Sequence, residues 1–120
     1  MKYALYIGRW QNWHKGHQWL IDQQLKKGKN VWITIRDINP RDENNPKAAS
    51  QILSELTELL DDHIQSGRLI ISIIPDIESV NYGRGVGYDV VYHEPPTEIA
   101  EISGTKIRSG NIDKEGKSKK

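Results

Sequence analysis

The hydrophobic positions of this chain fall into short apolar runs separated by two stretches of helical period. Lys2 to Ile7 is a short apolar run closed by Gly8, the mark of a buried strand. Gly16 to Lys27 sets Leu20, Ile21 and Leu25 on one side of a helix, with Gly28 as the stop. From Asn30 to Arg36, Val31, Ile33 and Ile35 alternate as in a second strand. The polar stretch Asp37 to Asn45 contains Pro40 and reads as a loop. Asn45 and Pro46 read as the N-cap and first residue of a second helix. Its stripe of Ala49, Ile52, Leu53, Leu56, Leu59, Leu60 and Ile64 keeps helical spacing up to Gly67. Leu69 to Ile74 is a third buried strand, closed by Pro75, and Asp89 to Tyr92 is expected as a fourth.

Strands separated by helices of this length predict an α/β fold: a Rossmann-like parallel sheet with helices on both faces. The chain has 120 residues, which fits a single domain, expected over residues 1–109. From Gly110 the sequence is charged and has no apolar residue after Ile112, so residues 110–120 are expected as a disordered polar tail. The absence of cysteine excludes disulfides and thiolate metal sites and suits a reducing cytoplasm. A net charge of +1 supplies no global field toward nucleic acid or membrane, and neither is an expected partner. No apolar run is long enough to cross a bilayer, and the MKYALYIGRW start is a poor signal peptide. A cytoplasmic location is expected, and homo-oligomerisation stays open.

In parallel sheets ligands bind beyond the carboxyl ends of the strands. The polar groups that follow each strand are therefore the candidates. The first group is Gly8-Arg9-Trp10-Gln11-Asn12-Trp13-His14-Lys15-Gly16-His17, where strand hands over to helix. Amides at a helix start attract anions, Lys15 adds positive charge, and Gly16 permits close approach of a phosphate. His14 and His17, three apart, can face one way. A pair of histidines alone reads better as a polar turn, and no third ligand lies near enough for a metal. The second group is Ile102-Ser103-Gly104-Thr105-Lys106-Ile107-Arg108, where hydroxyls, amides and Arg108 can hold phosphate oxygens. Asp37 and Asp76 end strands and are candidates for substrate hydroxyls or a metal. Tyr82 and Arg84 sit among alternating glycines, in a loop that could cover a base or ribose.

The two motifs together carry a resemblance. His14-Lys15-Gly16-His17 after the first strand resembles the H-x-G-H signature of the nucleotidylyltransferase superfamily, and Ile102 to Arg108 resembles its I-S-x-T-x-I-R signature. The resemblance covers Tyr3 to Arg108 and implies transfer of an NMP unit from a nucleoside triphosphate to a phosphate-bearing acceptor, with release of pyrophosphate. It implies that His14 and His17 contact the triphosphate around its α-phosphate and that Ser103, Thr105 and Arg108 hold the outer phosphates. Gly8, Arg9, Trp10, Lys15, Gly16 and Lys106 join the nucleotide contacts, and Mg²⁺ is expected to accompany the triphosphate. Gly-Arg-aromatic-Gln ahead of aromatic-His-Lys-Gly-His is most similar to nicotinamide-nucleotide adenylyltransferases of the archaeal type. That similarity implies ATP and nicotinamide mononucleotide as substrates, with Gln11 and Trp13 on the acceptor side. Where those relatives read Gly-Arg-Phe-Gln-Pro-Phe, this chain has Trp10, Asn12 and Trp13. The alternatives are a cytidylyltransferase, a pantetheine-phosphate adenylyltransferase, a fragment of a class I aminoacyl-tRNA synthetase, and a non-catalytic nucleotide-binding domain.

Overall fold

The computed structural model describes residues 1–39 and 42–100. Along them run β1 (Tyr3–Gly8), α1 (Lys15–Leu25), β2 (Asn30–Asp37), α2 (Ala49–Leu59), α3 (Asp61–Gln65), β3 (Leu69–Pro75) and α4 (Thr97–Ala100). The strands form one parallel sheet in the order β1-β2-β3. The register sets Ala4 beside Val31, Tyr6 beside Ile33, and Ile33 beside Ile71, so these residues share a face. That face is the core. Val31, Ile33 and Ile35 of β2 are fully buried, with Ile21 and Leu25 of α1 and Ile52 and Leu56 of α2 in the same cluster. The alternation read from the sequence thus selects the buried face directly.

Each crossover adds a strand to the same side of the sheet, and right-handed crossovers of that kind put α1 and α2 on one face. The opposite face leaves Leu5 50% exposed and Ile70 40% exposed. The expectation of helices on both faces is therefore not met among the described residues. The coarser reading, a small α/β chain with a parallel sheet, holds. No described helix is long and apolar enough to cross a membrane.

Three local expectations are corrected. Asn45 does not cap the second helix, which begins at Ala49 after the extended Ala48. The Asn45 side chain instead donates to Asp42 Oδ1 at 2.8 Å, and its N–H to the Asp42 carbonyl at 3.0 Å. A polar residue that can bond its own turn does so in preference to starting a helix. The second helical stripe is also interrupted: Leu60, at φ −106° and ψ 21°, separates α2 from α3 while its side chain stays in the core. Finally, Asp89 to Tyr92 forms no strand. Val90, Val91 and Tyr92 are exposed, and an apolar run without a ladder partner does not hold strand geometry.

The helix ends are closed by specific groups. Gly28 (φ +77°) turns the chain out of α1, and the Arg68 guanidinium donates to the Leu25 carbonyl at 2.6 Å and to Lys29 at 3.0 Å. The Leu25 carbonyl at the end of α1, which also accepts the Gly28 N–H at 3.0 Å, thereby gains a second donor from the residue that leads into β3.

Because β2 lies between its two neighbours, its buried side chains have nowhere to relax. Ile33→Ala is expected to destabilise the fold by about 2–5 kcal/mol in urea unfolding. A loss below about 1 kcal/mol would show that this face is not the core.

Candidate functional site

The chain leaves β1 at Gly8 and must turn sharply to start α1 at Lys15. Two non-glycine residues take left-handed backbone to do so, Trp10 at φ +54° and Asn12 at φ +53°. Such a conformation costs on the order of 1–2 kcal/mol per residue, so other contacts must hold it. Trp10 supplies one. Its indole is 5% exposed and its Nε1–H donates to the Thr34 carbonyl at 2.9 Å. The ring lies against Gly8, where an added Cβ would come within 2.8 Å of Trp10 Cε2. Gly8 is thus glycine because Trp10 occupies the space a side chain would need.

Gln11 supplies the second hold. It is buried, its Nε2 donates to the Lys47 carbonyl at 3.1 Å, and its Oε1 accepts the Lys47 N–H at 3.1 Å. Arg9 Nη1 donates to Asn45 Oδ1 at 3.4 Å. The β1–α1 loop is therefore fastened to the 42–47 segment that follows β2.

His14 is the N-cap of α1 and is extended, at φ −144° and ψ 179°. Its Nδ1 accepts the Gly16 N–H at 3.0 Å, and His17 Nδ1 accepts the His14 N–H at 3.3 Å. The two imidazoles stack with centroids 3.9 Å apart. Trp10 meets His17 edge-on at 5.3 Å, and Trp13 lies 5.3 Å from the same ring. This is a reciprocal capping arrangement in which histidines replace the usual hydroxyl and carboxylate. Burial lowers the pKa of His14 below its ordinary 6.5. Burial, with the His14 charge second, pushes His17 down to about 3. Both rings are neutral at pH 7. Because each Nδ1 is an acceptor, each neutral ring carries its proton on Nε2. The start of α1 thus presents two neutral Nε2–H donors beside the positive end of the helix.

The structure brings together Gly8, Arg9, Trp10, Gln11, Trp13, His14, Lys15, Gly16 and His17 in one loop and helix start. Lys15 is exposed at the first helical position. Asp37 is exposed at the end of β2. Asp76 is engaged: its Oδ1 lies 2.7 Å from Arg36 Nη2 and accepts Arg36 Nε and the Ile77 N–H, each at 2.9 Å. Tyr82 and Arg84 lie in an exposed loop, where Tyr82 lines a shallow pocket with Val86, Tyr88 and Val90 and Arg84 does not. Among the described residues no hydrogen bond ties that loop to the histidine pair. Ser103, Thr105, Lys106 and Arg108 lie outside the described residues. Among the described residues no three His, Asp or Glu side chains converge to hold a metal ion, so they form no protein cage for Mg²⁺. Sequence reasoning missed Thr34, Asn45 and Lys47 as supports. Only Asn45 had a signal, its Asn-Pro pair, and that signal pointed to a helix cap.

Two expectations follow. Between pH 6.5 and about 3 the unfolded chain binds a proton at His17 that the folded chain refuses. The stabilising contribution is complete above pH 6.5 and is lost as pH falls through that window. The slope is about 1.4 kcal/mol per pH unit for this group. Urea unfolding across the window should show this slope, and His17→Gln should flatten it; an unchanged slope in the variant would assign the effect elsewhere. Gly8→Ala should cost about 1–3 kcal/mol, read as a lower thermal midpoint, because the new methyl meets the Trp10 ring. Wild-type stability for that variant would mean the indole moves freely. Compared with known proteins, the chain matches no family model, no curated protein and no solved structure.

Proposed function

We propose that this chain is a nucleotidylyltransferase, moving an NMP unit from ATP to a phosphate-bearing acceptor, nicotinamide mononucleotide by motif similarity. The observation that carries the reading is the stacked pair His14 and His17 at the start of α1, beyond the carboxyl end of β1. The same reading takes the sheet as one half of a Rossmann-like architecture, in which three adjacent parallel strands are joined by crossover helices.

The chemistry asks little of the protein beyond placement. An acceptor phosphate oxygen is already anionic, so its attack needs no general base. It bonds to the α-phosphorus as the bond to the bridging oxygen of the β-phosphate breaks, and pyrophosphate leaves with the electron pair. Two Nε2–H donors fixed by their own Nδ1 bonds can follow the charge that builds on the α-phosphate and leaving oxygens. Trp10 and Trp13 restrict the rings and exclude water from their sides. Gly16 and the Lys15 ammonium stand at that helix start, the Arg9 guanidinium lies against Asn45 on the flanking segment, and together they suit a polyanion. By the resemblance, Ser103, Thr105, Lys106 and Arg108 take the outer phosphates, Asp37, Asp76, Tyr82 and Arg84 contribute on the substrate side, and Mg²⁺ accompanies the triphosphate.

The test is pyrophosphate release with ATP or CTP, each offered nicotinamide mononucleotide, phosphopantetheine and glycerol 3-phosphate. Turnover with ATP and nicotinamide mononucleotide is expected. Turnover only with CTP and glycerol 3-phosphate would move the donor and acceptor but keep the reaction class, and tight nucleotide binding without turnover would make the chain a binding domain. His17→Ala, verified as folded, should lower kcat by about 10²–10³-fold. A folded variant at near wild-type rate would remove His17 from the chemistry.

A further inference from the structure

Gln11 stands between the two left-handed residues of the site loop and spends both polar atoms of its side chain on the backbone of one distant residue. The Lys47 backbone both donates to it and accepts from it, 36 residues away in sequence. Gln11 is only 7% exposed, and its Nε2 and Oε1 are each already engaged, which leaves it little surface to offer a ligand. Two residues earlier, Arg9 reaches Asn45, which is also buried and bonded to Asp42. The loop ahead of His14 and the 42–47 segment are therefore joined at two places, and the buried two-point bond at Gln11 is the stronger.

We propose that Gln11 is a positioning residue, which holds the His14 and His17 pair in register with the 42–47 segment flanking the site. It acts through backbone and touches no substrate. Trp10 is anchored by its own burial and by Thr34, so the part of the loop that depends on Gln11 is Asn12 to His14. Asn12 is held in left-handed backbone directly beside it. Without the clamp that residue returns toward ordinary backbone, and the N-cap imidazole follows. The 42–47 segment loosens at the same time: the Lys47 backbone loses both of its side-chain partners on Gln11, and the Arg9–Asn45 bond and the Lys47–Glu55 ion pair are left to hold it.

The test uses Gln11→Ala and Gln11→Glu in the full chain. The second variant keeps size and an acceptor for the Lys47 N–H but sets a carboxylate oxygen against the Lys47 carbonyl. Exchange of the Lys47 amide should speed up by about tenfold or more in Gln11→Ala, and less in Gln11→Glu. The catalytic arm rests on the proposed nucleotidyl transfer: kcat should fall by about ten- to a hundredfold while KM for the triphosphate stays within about threefold. Ring resonances of His14 and His17 should shift in both variants, while those of the Leu25 and Leu60 methyls stay in place. An unchanged Lys47 amide in a folded variant overturns the proposal. So does a raised KM at unchanged kcat, which would make Gln11 a substrate contact. If the wild-type chain turns over none of the substrate pairs, the nucleotidyl-transfer reading fails by itself. The histidine resonances then decide: shifted rings sustain the positioning role, and unmoved rings end it.

Discussion

The indole of Trp10 is the wedge on which the site is built. It enters the space over Gly8, bonds the Thr34 carbonyl, and gives His17 an edge to lie against. The burial of one large aromatic side chain contributes about 3 kcal/mol, enough to offset the left-handed backbone that brings it there. The interaction joins three levels at once. It ends β1, it packs the top of the core, and it closes one side of the helix start.

Around that wedge the described residues are held by side-chain hydrogen bonds between distant segments. The β1–α1 loop is tied to the 42–47 segment, Arg68 closes the end of α1, and Arg36 reaches across from β2 to Asp76 and the Ile77 carbonyl. Each tie joins segments that are far apart in sequence at the edge of the sheet. With the core on one face of three strands, such ties set where the loops lie.

Period and punctuation made most of the fold legible. The alternation of Val31, Ile33 and Ile35 and the glycines at 28 and 67 located β2 and the ends of the helices to within a few residues. What was not legible came from competition between partners. Asn45 looks like a helix cap until Asp42 and Arg9 are close enough to claim it. Leu60 continues the apolar stripe, yet the backbone breaks there while the side chain remains inside. Val90 and Val91 have strand-like composition and pair with no strand among the described residues. At the site, the H-x-G-H spacing foretold that the two histidines meet, but not that each would cap a backbone N–H. That follows from the extended backbone at His14, which no pattern of residue types encodes.

The start of α1 offers no net charge from its imidazoles, and this fixes how it can attract. A fixed cation draws anions from a distance, over a Debye length of about 8 Å at physiological ionic strength, and salt weakens that pull. A pair of neutral N–H donors acts only at contact. Its hold on an oxygen depends on direction and fit, and added salt screens it little. On the proposed reading, recruitment from solution falls to the exposed Arg9 and Lys15, where ionic strength matters, while the neutral histidines judge shape. That reading gives capture and discrimination to different side chains, one pair long-ranged and permissive, the other short-ranged and exacting.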